Sequence, residues 1–457
     1  MTLPTAFPLR RLCALAISVV AVTTAAGQAR AADAEEPQQS DVRFQSTYVW
    51  QRKPAFAAAY TGENSLLPER EGRSYTLTAT AFIGVRPWQG GELYLNPEAT
   101  TNRSLSDLHG LGGLTNGENQ KGGGPNPTFY WARAFLRQTW PLGSDSEPVE
   151  AAANQLAGAV AKNRLVLTAG VLSVLDIFDN NSYAHDPRSQ FLNWTLMTHG
   201  AYDFAADTRG YTWGAALEYY RDGWTLRFGR FEQPIESNGF RLDSRIFSHY
   251  GDQIEVERHH ELAGLAGSLR LLAFRNRARM GSFQDALDAW RAAGSTGVPD
   301  VGGVRREHSK AGWGINFEQA LTKELGLFLR ASANDGRTET YSFSEVERSL
   351  SGGLSLKGGG WGRPDDVIGI GAVANGLSTE HREYLANGGL GAFIGDGVPP
   401  AGASYRYAPE RIIETYYSAS LGQHFTLSAD YQHLANPAYN ASRGPANIYG
   451  LRLHVEY

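Results

Sequence analysis

The chain contains a long series of segments in which every second residue is apolar, and this alternation constrains the fold more than any other feature. In residues 75–85, apolar side chains alternate with polar ones such as Thr76, Thr78 and Thr80. A period of two is typical of half-buried β-strands and not of helices. Sixteen segments of this kind are predicted, at residues 42–50, 75–85, 93–98, 128–140, 165–171, 213–219, 224–228, 253–260, 269–277, 313–317, 325–333, 342–356, 368–374, 413–421, 425–431 and 448–457.

The connections between these segments alternate in length. The short ones are residues 87–90, 221–223, 263–267, 321–323 and 422–423. The long ones are residues 52–72, 99–127, 172–210, 232–250, 278–308 and 375–410. Short periplasmic turns that alternate with long external loops are typical of bacterial outer-membrane barrels, which have an even number of strands. One connection departs from the rule, because residues 141–162 should form a short turn and instead contain a stretch that is compatible with a short helix.

The two faces of the strands differ in polarity. In residues 128–140, Arg133 and Arg137 lie on the face opposite Ala134 and Leu136, and Arg227 lies opposite its apolar neighbours Leu226 and Phe228. Because an arginine on the lipid face costs roughly 2–4 kcal/mol near the middle of the bilayer, we expect the arginines to point into the lumen. Aromatic residues at strand ends fit interfacial girdles; they are Trp50, Trp140, Trp213, Tyr449 and Tyr457. The fold class expected is all-β, a 16-stranded antiparallel transmembrane β-barrel.

A barrel of sixteen strands is too wide for its own wall side chains to fill, so a water-filled lumen is expected. A loop that folds inward would narrow it. The best candidate is the connection 172–210, whose aromatic, Asn, Asp and Arg content suits a binding surface. The connection 99–127 is the second candidate. Residues 283–293 within the connection 278–308 have the pattern of a short loop helix.

The first 31 residues have the features of a secretory signal peptide. Arg10 and Arg11 precede an apolar run, and Ala29-Arg30-Ala31 has the form of a cleavage site. We therefore expect residues 1–31 to be removed, residues 32–40 to form a short N-terminal segment, and residues 41–457 to form one barrel domain. After residue 31 there is no apolar run of about 18 residues that would predict a membrane-spanning helix. A formal net charge of −5 gives no indication of nucleic-acid binding.

Several stretches resemble the carbohydrate-selective porin family of the OprB type. They are T-Y-V-W-Q-R-K-P-A-F (47–56), G-G-L-T-N-G-E (112–118), G-P-N-P-T-F-Y-W-A-R-A-F-L-R-Q-T-W (124–140), R-L-V-L-T-A-G-V-L-S-V-L-D-I-F-D-N-N (164–181) and F-L-N-W-T-L-M-T-H-G-A-Y-D (191–203). The resemblance covers most of the chain after the signal peptide. It implies a sixteen-stranded outer-membrane channel through which monosaccharides and small polyols diffuse, with an eyelet of arginines, an acidic residue and aromatic rings.

The resemblance places candidate pore residues on the strand at 128–140. Arg133 and Arg137, together with Trp131, are the expected eyelet residues, and Glu98 and Asp176 are possible acidic partners. Arg227 is a further pore-lining candidate. Arginine and carboxylate groups can replace the water on sugar hydroxyls, and aromatic rings can stack on the apolar face of a sugar. The alternative for Arg133 and Arg137 is that they pair with lumen carboxylates and brace the wall.

Two groups of side chains have residue types that can bind metals. His259, His260 and Glu261 lack the helical spacing of a zinc protease. Asp176, Asp179 and Asp186 could bind calcium, although loop-capping and solvated carboxylates are the favoured interpretation. No metal and no cofactor are expected.

The function expected is passive, carbohydrate-selective diffusion, without enzymatic activity, in the outer membrane of a Gram-negative bacterium. One alternative is a porin for other small solutes such as organic anions, which arginines would also suit. The other is a barrel scaffold whose loops act as an adhesin or enzyme. The expected partners are outer-membrane lipid, small sugars and the barrel-insertion machinery, and the protein should be a monomer or a homotrimer. The last strand, 448–457, should close the barrel against the first.

Overall fold

The computed structural model describes residues 37–457, and the expected signal peptide lies outside these residues. Within residues 37–457, sixteen strands form a closed antiparallel barrel, and two further strands, β5 and β6, form a separate hairpin. The strands are β1 Ser40–Lys53, β2 Glu71–Trp88, β3 Gly91–Arg103, β4 Thr128–Pro141, β5 Ser146–Val149, β6 Gly158–Ala161, β7 Arg164–Leu172, β8 Thr212–Arg221, β9 Trp224–Glu232, β10 Tyr250–Leu262, β11 Leu265–Met280, β12 Arg306–Ala320, β13 Leu325–Asn334, β14 Arg348–Gly358, β15 Arg363–Gly376, β16 Glu410–Ser420, β17 Phe425–Ala435 and β18 Ala446–Glu456. The predicted fold class is confirmed.

The barrel closes where β18 pairs with β1. Tyr48 lies opposite Leu453, and the pairing continues to Tyr457, whose backbone N–H and C=O both bond to Phe44, at 2.8 and 2.9 Å. Closure leaves no free sheet edge, which is what a sheet in lipid requires, because hydrocarbon offers no partner to an unpaired backbone group. The expectation that the last strand meets the first is confirmed.

The connections follow the predicted alternation of length. One end of the barrel carries two- to four-residue turns such as Asp222-Gly223, and the other end carries the long loops. In outer-membrane barrels the end with the short turns is periplasmic. The connection at 141–162 contains no helix, so the helical interpretation of its alanine-rich stretch was wrong. It forms the β5–β6 hairpin, in which Val149 lies opposite Gly158.

The wall has an apolar outer face and a polar inner face. On β11, Leu269 and Leu271 are exposed outward, whereas Arg270 between them is 4% exposed and faces inward. On β13, Arg330 and Phe328 point inward and are buried. The alternation read from the sequence therefore orients these strands correctly.

Short helices occur in the loops of the described part of the chain. They are α1 Trp194–Met197, α2 Phe283–Ala292 and α3 Thr379–Ala386, with single 3₁₀ turns at Leu105–Leu108, Val174–Asp176, Gly302–Val304, Gly359–Trp361 and Pro437–Tyr439. The helix expected at 283–293 is confirmed, and the side chain of Ser282 caps it by accepting a hydrogen bond from the N–H of Asp285. Phe283 stacks on His381 of α3 with 4.1 Å between the ring centroids. Within residues 37–457 no helix is long and apolar enough to cross a bilayer.

The twelfth strand begins later than predicted. The sequence places its start near Ser342, but β14 starts at Arg348. The carboxylate of Asp203 accepts hydrogen bonds from the backbone N–H groups of Tyr341, Ser342 and Phe343, at 2.8–3.2 Å. These bonds draw residues 341–343 into the lumen and keep them out of the sheet.

Candidate functional site: the channel cavity

Residues 173–211 fold into the lumen. The loop begins where β7 ends, at Leu172. Residues 128–133 of β4 therefore have no strand partner on the side of β7. Five wall residues on the far side hold the loop. The carboxylates of Glu255, Glu318 and Glu414 accept hydrogen bonds from the backbone N–H groups of Asp179, Ser182 and Asn193, respectively. The guanidinium groups of Arg330 and Arg452 donate to the backbone C=O groups of Leu196 and Gln190, respectively. Charged wall residues thus provide hydrogen-bond partners for backbone groups of the loop that lose their bound water on burial.

Residues 112–121 form a second inward segment. The N–H groups of Gly112 and Gly113 donate to the Glu410 carboxylate, at 3.1 and 2.7 Å. A Cβ atom at Gly113 would lie 2.7 Å from Ile412 Cδ1 and 2.8 Å from Thr195 Oγ1, so a larger residue here would have to displace these side chains. The segment pairs with the first loop through the N–H of Trp194, which donates to the C=O of Leu114 at 2.9 Å.

The inward segments leave a cavity of about 370 Å³ in the lumen. Its charged lining residues are Glu118, Lys121, Arg133, Asp176, Asp186, Arg188 and Arg209. Its aromatic lining residues are Phe82, Trp194, Phe204, Tyr211 and Phe343. The volume lies near the lower end of the roughly 300–1,000 Å³ that is common for small-molecule sites, so the cavity suits a molecule of the size of one sugar ring.

Arg133 and Asp176 form the central ion pair of this cavity. Arg133 Nε and Nη2 donate to the two oxygens of Asp176 at 2.7 and 2.6 Å, a bidentate arrangement. The guanidinium also lies 5.2 Å from the ring centre of Tyr211. The side chains keep 14% and 29% of their surface exposed. A solute in the cavity can therefore reach a cation, a carboxylate and a ring at one place.

Arg188 supplies a second arginine from the inward loop. It bonds to Glu118 at 2.9 Å and to Glu98 at 3.3 Å. Burial alone would lower the pKa of Arg188, but the two carboxylates outweigh burial and raise it. Glu98 also accepts from Thr80 at 2.6 Å and from Tyr130. This network fixes the arginine while leaving 17% of its side chain exposed.

Lys121 lies among carbonyl oxygens and rings of the inward segments. Its Nζ donates to Asn238 Oδ1 at 2.7 Å and lies 5.9 Å from the ring of Trp194. Burial lowers the pKa of Lys121 to about 8, although Asp203 and Asp207 act in the opposite direction. Lys121 therefore loses its positive charge more readily than an exposed lysine does.

The structure brings together Arg133 and Asp176, as the sequence expected, and places Glu98 behind the cavity, where it holds Arg188. Arg137 faces inward lower on β4, where its Nη1 donates to the C=O of Asn154 at 2.9 Å. Arg227 is 7% exposed and is surrounded by Glu218, Glu255 and Glu257, at 2.7–3.0 Å. Arg227 therefore braces the wall.

The expectation for Trp131 needs correction, because this side chain is 60% exposed on the outside of the barrel. The pairing of β3 with β4 shifts by one residue: Asn96 lies opposite Arg133, Pro97 lies opposite Trp131, and Ala132 is the extra residue. Such a β-bulge reverses the faces above it, and proline is tolerated there because it has no N–H to donate. Trp131 accordingly belongs with the outer aromatic residues.

Sequence reasoning missed Arg188, Glu118 and Lys121. Arg188 lies in the loop stretch that was singled out for its binding character, but loop residues have no periodicity that assigns them to a face. The three aspartates of the possible calcium site are engaged separately: Asp176 with Arg133, Asp179 with Arg330, and Asp186 with the backbone N–H of Arg188.

Closed barrel, polar lumen and inward-folded loops together define an outer-membrane porin. The sequence matches the family model described as carbohydrate-selective porin, OprB family, over residues 84–457. The protein belongs to this family, and its place is the outer membrane of a Gram-negative bacterium. No protein in the curated set that was searched matches the sequence significantly.

One of the solved structures that are similar to this chain supports the fold. Pseudomonas putida OprB at high pH superimposes with a TM-score of 0.69 and 17% identity, over 92% of this chain and 94% of that one. The low-pH structure of the same protein gives a TM-score of 0.48 and 12% identity, over 92% and 93%. Pseudomonas aeruginosa OccK2 (OpdF) gives 0.43 and 11%, over 92% and 97%. At these identities the first comparison supports the fold alone.

Proposed function

We propose that the protein lets single-ring sugars and small polyols diffuse passively through the cavity at Arg133 and Asp176. The observation that carries the proposal is the combination of a bidentate arginine–carboxylate pair, a second arginine and aromatic rings around a space of about 370 Å³. The family description supports carbohydrate as the class of solute.

The chemistry matches a polyhydroxylated ring. Each sugar hydroxyl both donates and accepts, so it can bond to an arginine N–H and to a carboxylate oxygen at once, and such charge-assisted hydrogen bonds are strong. The Tyr211 and Trp194 rings offer apolar surface to the C–H face of the ring. Because Arg133 and Asp176 already satisfy each other, a solute only exchanges hydrogen bonds, and binding stays weak enough for release.

The arginine–carboxylate pairs at the centre of the lining favour neutral solutes over organic anions. Arg133 is paired with Asp176 and Arg188 with Glu118, whereas Lys121 and Arg209, the other two cations of the lining, lie over aromatic rings. An anion would have to displace a carboxylate or approach one closely, and like charges in contact are unfavourable. A neutral hydroxyl meets no such repulsion.

Liposome swelling with the purified protein tests the proposal. We expect fast swelling with glucose and glycerol, slower swelling with a disaccharide, and slower swelling with gluconate than with glucose. Equal rates for gluconate and glucose would contradict the preference for neutral solutes, and no swelling with any sugar would contradict the function itself.

A pair of variants connects this function to the residues. Arg133→Met should weaken the block of single-channel current by glucose, because it removes the shared hydrogen-bond donors of the cavity. Arg291→Met is the matched control, since Arg291 lies 43% exposed on α2 in an external loop. Unchanged glucose block in Arg133→Met would remove this arginine from the sugar path.

A further inference from the structure

The tip of the β5–β6 hairpin enters the lumen from the periplasmic end. This tip, residues 150–157, is called the periplasmic strap here. It turns back on itself through mutual backbone bonds between Ala152 and Gln155, both 3.0 Å, and Asn154 takes a left-handed conformation with φ of 57°. Asparagine tolerates that conformation better than most residues. The other connections at this end of the barrel are short turns, whereas this one inserts into the lumen.

Two neighbouring strands, β3 and β4, hold the strap against the wall. Arg137 of β4 donates to the C=O of Asn154 at 2.9 Å, and Asn96 of β3 donates to the Asn154 side-chain oxygen at 2.9 Å. The N–H of Leu156 donates to Tyr94 Oη at 3.2 Å. The strap is therefore fixed by side chains that point into the lumen, and it is not a freely solvated turn.

An apolar anchor reinforces these bonds. Leu156 is 2% exposed and belongs to the same packed cluster as Tyr94 and Phe135. A Cβ atom at Gly84 would lie 3.3 Å from Leu156 and 2.8 Å from Tyr94, so the absence of a side chain on β2 makes room for the anchor. Below it, the N–H of Ala157 donates to Gln38 Oε1 at 2.8 Å, and the C=O of Ala157 accepts from the N–H of Gln38 at 3.1 Å.

The strap also borders the solute cavity. Ala153 and Asn154 line it together with Arg133, Asp176 and Phe82. Asn154 is bonded to Asn96, and Asn96 lies opposite Arg133 in the sheet, so the strap reaches the level of the central ion pair. The cavity is thus bounded by external loops on one side and by a periplasmic insertion on the other.

We propose that the periplasmic strap is a second constriction, which sets the size limit for solutes leaving the cavity towards the periplasm. The identity of the solutes rests on the proposed function. The effect of the strap on ion conductance does not rest on it, because ions use the same path. A single ring passes the strap, and a linked pair of rings is held back there.

The register of the hairpin allows a clean removal of the strap. Because Val149 lies directly opposite Gly158, a two-residue Asn-Gly turn can replace residues 150–157 and close the hairpin. We expect this variant to have a larger single-channel conductance than the parent and to admit a disaccharide such as sucrose in swelling assays. Conductance and sucrose exclusion equal to those of the parent would overturn the proposal.

The matched control changes the same hairpin outside the lumen. Glu147 on β5 is bonded to Arg164 at 3.2 Å and is exposed. Glu147→Gln should leave conductance and sucrose exclusion at parental values. An equal increase of conductance in Glu147→Gln would overturn the proposal, since a disturbance of the hairpin would then be enough to raise conductance without removal of the strap. If the parent passed no sugar but strap replacement still raised ion conductance, the proposed function would fail while the constriction stood.

Cysteine accessibility gives an independent test without shortening the chain. Residues 37–457 contain no cysteine in the sequence, so an introduced thiol is the only reactive one in the barrel. Ala153→Cys should lose conductance when a charged methanethiosulfonate reagent is added, because Ala153 lines the path. Ala159→Cys, at an exposed position on β6, should react without loss of current. Modification of Ala153→Cys without any change in current would overturn the proposal.

Discussion

The position of the inward loop should depend on one buried carboxylate, Asp179. Its Oδ1 accepts from Arg330 Nε at 3.0 Å and from Asn316 Nδ2 at 2.5 Å. Its Oδ2 accepts from Thr198 Oγ1 at 2.6 Å and from the N–H of His199 at 2.8 Å. Burial acts to raise the pKa of Asp179, but Arg330 and these hydrogen bonds lower it, so the group remains ionised.

The substitution Asp179→Asn removes the charge and keeps the shape. Arg330 is 2% exposed and would be left as a buried cation without its carboxylate. Breaking one partner out of a buried pair costs about 3–5 kcal/mol. Because each 1.4 kcal/mol is a factor of ten, the ratio of displaced to docked loop should rise by roughly two to four powers of ten. The barrel itself should remain folded, since the strand pairing does not involve this side chain.

Two measurements detect the displaced loop. Single-channel records of Asp179→Asn should show frequent excursions to a higher conductance, and trypsin should cut after Arg188, which the docked loop protects. Adding Arg330→Met should restore part of the docking because no unpaired charge remains, while Asp288→Asn on the exposed helix α2 should behave as the parent. Quiet channels and a protected Arg188 in Asp179→Asn would refute the reasoning.

Three further predictions concern single residues. The pKa of Lys121 is about 8 because of burial, so this side chain carries its charge below that pH and loses it above. The permeability ratio of anions to cations should therefore fall between pH 7 and 9, and Lys121→Met should abolish this change. Arg227→Met leaves Glu218 and Glu255 without their cation, whereas Glu257 keeps its pairing with Arg270, and urea unfolding in lipid vesicles should show a loss of about 3–5 kcal/mol in the free energy of unfolding, with glucose uptake retained. Trp131 should be quenched by brominated lipid, whereas the buried Trp194 should not; quenching of Trp194 alone would contradict the assigned faces.

The barrel could be predicted from the sequence because the patterns that specify it involve residues that are close together in the chain. The period of two assigns each strand and its faces, and the lengths of the connections assign the two ends. Both signals fail where one residue breaks the period. Ala132 is an extra residue opposite the junction of Asn96 and Pro97, and a prediction that assumed regular alternation put Trp131 on the wrong face.

The site could be predicted only in part, since it is built from contacts between distant segments. Arg133 could be proposed as a site residue because it lies on a strand, where the alternation assigns side chains to faces. Arg188 and Lys121 lie in loops, and their positions depend on wall carboxylates and carbonyls far away in the chain, such as the C=O of Ser342 for Lys121. The strap was missed for the same reason: its alanine-rich composition favours a helix, whereas contacts with Asn96 and Arg137 determine its conformation.

The exposure of charged lumen residues separates two roles that their chemistry alone does not distinguish. Arg330 and Arg227 are almost fully enclosed by partners, so a passing solute cannot reach them, and they serve to position loops and wall. Arg133 and Asp176 are equally well paired but keep an open side towards the cavity. A solute that leaves them does not expose a bare charge, because the pair remains bonded to itself. The energetic barrier to release is therefore low, which is what a selective channel needs and a high-affinity binding site lacks.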